Sequence, residues 1–386
     1  MLDRRRCKLY AGFAAVLVFA LLLFAYFGDG IRSTSSEKIV THFKTNSFPV
    51  DVVDRRYDID IETEDVLVFL HIQKTGGSVF GRHLVRDLDL ASPCVCYKGR
   101  KRCDCLTANK RLWLFSRYSM GWLCGLHADW TELQDCVESA MNRKEGPKRN
   151  RRYHYITILR NPISRYISEW KHVSRGATWK SALLKCNGKE ATLEELPFCY
   201  DYESTWSGVT LDDFIGCEHN LASNRQTRML ANLSKINCYN KTGMDPITRD
   251  KLMLESAKEN LKKFSFFGIV EFQRNSQELF EYTFNLKFLE DFTQYNVTHS
   301  SKVNVSKKQY QAISKLNKLD EELYQYAKDL FLQRVRKMQS DLNVDRHNLT
   351  SYEKDTYGGP DSFEAYDEEV EDEDDDYYSS SKMEGN

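Results

Sequence analysis

Three short apolar runs stand out from an otherwise mixed chain: VLVFLHI at residues 66–72, YHYITIL at 153–159 and FFGIV at 266–270. Each is rich in β-branched or aromatic residues and runs on without polar alternation, the pattern of strands covered on both faces of a parallel sheet. The stretches between and after them read as helices over 78–88, 162–173 (with Pro162 in the first turn), 248–264 and 274–284. Strands alternating with helices predict an α/β fold with a central parallel sheet flanked by helices. Further on, Ile313, Leu316, Leu319, Leu323, Tyr326, Ala327 and Leu330 recur at three-and-four spacing within a charged stretch. That spacing predicts one or two helices over 306–342 with a single buried face.

The N-terminal pattern is different. Residues 9–27 are 19 consecutive uncharged, mostly apolar residues, about 28 Å of helix, enough to cross a bilayer. Arg4, Arg5, Arg6 and Lys8 precede this run and Asp29 follows it, which puts residues 1–8 in the cytosol and the remainder outside it, as a type II signal-anchor. A cleaved signal peptide is the alternative, but its apolar region is usually shorter, about 7 to 15 residues. Residues 28–62 are polar and without persistent periodicity, and read as a stem. The main domain is expected over 63–345 and an acidic, disordered tail over 346–386.

Composition sharpens this division. The chain has 386 residues, 41% hydrophobic, enough for a sizeable core, so a wholly disordered protein is excluded. Its formal charge of −1 hides two opposite segments: residues 1–350 hold 53 Lys and Arg against 42 Asp and Glu, whereas 351–386 hold 2 against 14. The tail could fold over a basic cleft or simply solvate the chain; the second is the plainer reading. Of 11 cysteines, Cys7 lies on the cytosolic side, leaving ten for a compartment where disulfides persist. The Cys-x-Cys pairs at 94/96 and 103/105 miss the usual zinc-ligand gap, so disulfides are expected, with the pairing left open. Sequons at Asn232, Asn240, Asn296, Asn304 and Asn348 suit a luminal surface.

Candidate chemistry begins where the first strand runs into QKTGGS, residues 73–78, and then a helix. That order gathers backbone N–H groups and a positive helix end around an anion; Gly76 and Gly77 allow close approach, Lys74 adds charge, and Thr75 and Ser78 add hydroxyls. This is not a Walker A motif, because the lysine precedes both glycines. On spacing alone, an ordinary strand-to-helix turn fits equally. The run YITILRNPISRYISEW ends its strand in Arg160 and carries Ser168 on the following helix. A lysine-glycine loop and an arginine at the carboxyl ends of two parallel strands face one crevice. Two anion sites suggest a nucleotide with phosphates at two positions. Among nine histidines, His71 falls in the buried run and reads as structural, His83 lies in the first helix, and His127 sits in a polar, aromatic loop near Asp129.

Read together, HIQKTGGS, FGRHLV, the paired Cys-x-Cys segments, WLFSRYSMGW, CGLHADWTEL, ILRNPISRYISEWKH and RGATW resemble the heparan sulfate 6-O-sulfotransferase family, over roughly residues 65–330. The resemblance implies a P-loop-like sulfotransferase fold and a Golgi type II enzyme that uses 3′-phosphoadenosine 5′-phosphosulfate (PAPS) as co-substrate, with no metal. It assigns the 5′-phosphosulfate to Lys74, Thr75, Gly76, Gly77 and Ser78, and the 3′-phosphate to Arg160 and Ser168. Thr293, Gln294, Tyr295 and Thr298 match a segment that closes over the nucleotide, although His299 stands where relatives are expected to carry arginine. His127 matches the catalytic base, working with Lys74. Lys101, Arg102, Arg117, Trp122, His172 and Trp179 match contacts to a polyanionic acceptor, heparan sulfate on proteoglycans. No nucleic-acid partner is expected. The competing readings are a PAPS-dependent enzyme acting on another glycosaminoglycan position, and a heparan sulfate-binding protein that has lost its chemistry.

Overall fold

The computed structural model describes residues 46–146, 149–180, 182–201, 203–292 and 303–342. The expected membrane span, the acidic tail and the nucleotide-closing residues Thr293, Gln294, Tyr295 and Thr298 lie outside this set. Among the described residues, no helix is long and apolar enough to cross a membrane.

The core is a four-stranded parallel sheet of β1 (Asp65–Phe69), β2 (Leu114–Phe115), β3 (Arg152–Leu159) and β4 (Phe266–Ile269), in the order β2-β1-β3-β4. Val68 pairs with Tyr155, and Ile158 with Gly268. Parallel strands need crossovers, and helices supply them: α1 (Gly77–Arg86), α2 (Trp130–Glu145), α3 (Pro162–Ser174), α4 (Arg225–Leu230) and α5 (Pro246–Lys263), followed by α6 (Gln273–Phe284). The two central strands, β1 and β3, end side by side, so the loops that leave them share one edge of the sheet. The charged stretch near the end forms two helices, α7 (Lys307–Leu316) and α8 (Lys318–Asp341), broken at Asn317, whose side chain donates to the Ile313 carbonyl at 2.9 Å. Its apolar stripe is buried through Ile313, Leu319, Leu323, Ala327 and Leu330.

The strands are covered on both faces. Val66, Leu67, Val68, Ile156, Leu159, Phe266, Phe267 and Ile269 all lie in one apolar core. A second cluster packs α3 against α7 through Ile163, Tyr166, Ile167 and Ile313. Gly268 is where β4 meets its neighbours most tightly: a Cβ there would lie 2.8 Å from Ile158 Cδ1 and 3.0 Å from the Ser276 side chain.

Two expectations change. The first apolar run is strand only as far as Phe69, so His71 lies just beyond β1, in the loop rather than within the strand. Residues 46–62, read from their polarity as the end of a stem, are folded onto the domain. Asn46 donates to Asp329, Arg334 to the Val52 carbonyl, Tyr57 N–H to the Thr283 carbonyl, and the Phe48 ring sits 5.1 Å from Tyr326. Those attachments are isolated anchors and main-chain hydrogen bonds, neither of which produces a period in the sequence. The structure also contains elements to which the sequence pattern assigns nothing, α2, α4 and β2 among them; β2 has only two residues, too few to show a pattern.

The ten cysteines in the described region form five bridges: Cys94–Cys105, Cys96–Cys103, Cys124–Cys136, Cys186–Cys238 and Cys199–Cys217. The first two are nested and clamp a small antiparallel hairpin.

Because Gly268 leaves no room for a methyl group, Gly268→Ala should lower unfolding stability in urea by about 1–3 kcal/mol. A midpoint equal to that of the wild type would mean that β3 and α6 can part without cost.

Candidate active site

The loop after β1 is built to present main-chain groups. Lys74 and Gly76 hold φ of 63° and 76°, the left-handed region, which is unusual for lysine and easy for glycine. Thr75 is fully buried and its hydroxyl donates to the Ile72 carbonyl at 3.0 Å, closing the turn. Gly77 then starts α1, and no side chain caps that helix, so its first N–H groups can turn to an anion. A Cβ at Gly77 would come within 2.2 Å of the His71 ring. The glycine is therefore required by packing as well as by access.

Arg160 arrives from the end of β3. It is 2% exposed, and its Nη1 donates to the Lys74 carbonyl at 3.1 Å. Gln226 at the start of α4 holds the Arg160 main chain from both sides, accepting from its N–H and donating to its carbonyl, each at 2.9 Å. Asn161 caps α3 by accepting from the Ile163 and Ser164 N–H groups, with Pro162 at the first helical position. Ser168 lies fully buried on this helix, between Arg165 and Glu169.

His127 approaches the same loop from the other side. Its Nδ1 is 3.0 Å from the His71 carbonyl. A carbonyl only accepts, so Nδ1 carries the proton, and in the neutral ring the lone pair is on Nε2. Aromatic rings surround it: His71 and Trp122 each at 4.7 Å between centroids, and Trp179 edge-on at 6.4 Å. His172 lies 5.2 Å from Trp179, and the Arg117 guanidinium sits over Trp122 at 5.1 Å. The Arg102 side chain runs beside Gly121, within 3.2 Å of where a Cβ would stand. Lys101 is exposed on the bridged hairpin. Lys74, His127 and Trp179 all have positive φ, three non-glycine residues held where L-residues are seldom found.

Direct contacts thus link the turn after β1 to Arg160 and to His127, and His127 in turn to Trp122 with Arg117 and to Trp179 with His172; Ser168 is buried on the helix that follows Arg160. The structure also shows residues that motif reading missed. Glu169 is buried between Arg165 and Arg225, donating partners that overcome its desolvation and hold its carboxyl at about 2. Burial lowers Arg225 from its ordinary 12.5 to about 10, against the attraction of Glu169. Their signal in the sequence, Arg-x-x-x-Glu on a helix, also describes any surface ion pair.

Below His127, Asp129 caps α2 and forms a reciprocal capping box with Glu132. Asp129 also accepts from the Tyr239 hydroxyl, and Glu132 from the Lys185 N–H. Burial, reinforced by the charge of Asp129, pushes the Glu132 carboxyl up to about 8 from an ordinary 4.5. The folded protein therefore keeps a proton that the unfolded chain has already released. Stability from this pair is present at low pH and is lost as pH climbs towards about 8. Glu132→Gln, neutral throughout, should flatten the fall in melting temperature over that window; a slope identical to the wild type would place the proton elsewhere.

A family model described as "Sulfotransferase family" matches residues 57–327. The chain is 56% identical over 289 residues to heparan-sulfate 6-O-sulfotransferase 2 of Gallus gallus, covering 74% of this chain and 71% of that protein. It is 50% identical over 335 residues to heparan-sulfate 6-O-sulfotransferase 1-B of Danio rerio, covering 82% of each. With heparan-sulfate 6-O-sulfotransferase 1 of Mus musculus it shares 49% over 348 residues, 86% of this chain and 84% of that one. The chain therefore belongs to the heparan-sulfate 6-O-sulfotransferases of the sulfotransferase family.

Proposed function

We propose that this protein transfers a sulfuryl group from PAPS to the 6-O position of glucosamine residues in heparan sulfate. One observation carries the reading: a single loop receives Arg160 at the Lys74 carbonyl and His127 at the His71 carbonyl. Charge for an anionic donor and a base for an acceptor hydroxyl therefore converge on the same turn.

The residues present fit a donor with phosphates at two positions. The left-handed Lys74 turn and the uncapped start of α1 offer N–H groups and a cation to one end, and Arg160 with Ser168 to the other. When bound, PAPS supplies the sulfuryl group and a phosphate that leaves as a stabilised anion. In-line sulfuryl transfer, like phosphoryl transfer, spreads charge over equatorial oxygens, so fixed positive groups and alignment supply most of the acceleration. Lys74 and the Thr75–Ser78 turn hold and neutralise that charge. His127 Nε2 takes the proton of the attacking hydroxyl, and the hydrogen bond to the His71 carbonyl keeps the ring in the tautomer that can do so. Trp122 and Trp179 offer ring faces to the sugars, and Arg117, Arg102, Lys101 and His172 line the acceptor side. Thr293, Gln294, Tyr295 and Thr298 complete the nucleotide site in this reading.

The enzyme works in the Golgi lumen as a type II membrane protein anchored through residues 9–27. Five disulfides, which persist outside the cytosol, support that compartment.

Incubating the protein with labelled PAPS and N-sulfated heparan oligosaccharides should place label at carbon six of glucosamine; label at another ring position would give the acceptor reading to the rival specificity. His127→Ala should reduce kcat by at least about 10³-fold, while binding of 3′-phosphoadenosine 5′-phosphate, followed by calorimetry, stays near wild type. Near-normal turnover would remove His127 from the chemistry.

A further inference from the structure

Donor and acceptor sides meet at a residue that belongs to neither motif set. Arg225 is the first residue of α4 and is buried. Its Nε donates to Glu169 Oε2 at 2.8 Å and its Nη2 to Glu169 Oε1, a two-pronged fork on the carboxylate that directly follows Ser168. The same guanidinium lies 5.4 Å from the centre of the Trp179 ring. Trp179 in turn lies 5.2 Å from His172, tilted, and 6.4 Å from His127, edge-on.

The arrangement contains more than charge neutralisation requires. Glu169 already has Arg165 as an ion-pair partner one helical turn away on α3. What Arg225 adds is a rigid planar cation between that carboxylate and an indole. Trp179 needs such a hold, because its φ of 48° places it in a conformation that is costly for a bulky residue and persists only where neighbours enforce it. Gln226, the next residue, grips the main chain of Arg160. The N–H groups of Gln226 and Thr227 donate to Asp320 of α8, which anchors the start of α4 in the core.

We infer that Arg225 is a positioning residue for acceptor recognition: it ties Trp179, and with it the ring wall beside His127, to the turn of α3 that carries Ser168. This deepens the transfer reading above and rests on it. The acceptor site is thereby held in register with the 3′-phosphate end of the donor, without Arg225 touching either substrate. Lysine cannot replace it, since an ammonium group has neither the fork for Glu169 nor the flat face for Trp179.

The test compares wild type, Arg225→Lys, Arg225→Gln, Trp179→Ala and the Arg225→Lys/Trp179→Ala pair. Steady-state kinetics use an N-sulfated heparan oligosaccharide, and calorimetry uses 3′-phosphoadenosine 5′-phosphate. In Arg225→Lys the acceptor KM should rise about tenfold while kcat changes less than about threefold. Nucleotide Kd should stay within about twofold, and on the Trp179→Ala background the arginine change should add less than about twofold. An unmoved acceptor KM, a matching loss of nucleotide affinity, or full additivity in the pair overturns the inference. So does failure of Arg225→Lys to fold, which would make the residue a core ion pair and nothing more. Arg225→Gln, which also removes the charge, should raise KM at least as far. Absence of transfer by wild type would instead overturn the function itself.

Discussion

The hydrogen bonds that reach the loop after β1 are what the rest of the site depends on. The carbonyl of Lys74 accepts from Arg160 and that of His71 from His127. Both are main-chain acceptors, so their positions follow from the backbone of one turn rather than from side-chain rotamers. That turn is itself set by Thr75 closing onto Ile72, by positive φ at Lys74 and Gly76, and by the absence of a Cβ at Gly77 beside the His71 ring. A parallel sheet makes the arrangement possible, because β1 and β3 are neighbours and their carboxyl ends deliver the two loops to one edge.

Around this turn, buried polar groups are paired through backbone as much as through side chains. Gln226 holds Arg160 by its main chain, and Asp320 holds the N–H groups at the start of α4. Glu169 sits between two arginines, and the attraction outweighs the cost of burying the carboxylate. The Asp129–Glu132 pair shows the opposite balance: burial outweighs the attraction of Arg228 and keeps a proton in place. Ion pairing therefore rigidifies the donor side, whereas a capping box supports the helix that follows His127.

The disulfides act on the same problem from outside. Cys94–Cys105 and Cys96–Cys103 clamp the hairpin bearing Lys101 and Arg102, and Cys124–Cys136 ties the loop of Trp122 and His127 to α2. Their loops are short, with sequence separations of 11, 7 and 12, so each restricts the unfolded chain less than the Cys186–Cys238 bridge at a separation of 52; what they fix is the local shape of segments that have little regular secondary structure.

The sequence by itself determined the parallel-sheet core and the helices around it, because continuous apolar runs and three-and-four spacing are local signals that burial on two faces or one face imposes on any chain. It also marked the lysine-glycine turn, Arg160 and the aromatic loop of His127 as candidates, because these motifs lie within short stretches, although spacing alone left the turn open and the role of His127 came from the family resemblance. Only the tertiary structure decided which cysteines pair, that residues 46–62 fold onto the domain, and that Glu169, Arg225 and Gln226 join the two halves of the site. The reason is separation along the chain: Glu169 and Arg225 meet across an intervening segment, and the Arg160 main chain meets Gln226 likewise. Pairings of that kind leave no periodicity and no motif; they exist only once the sheet and its crossovers have placed the partners together.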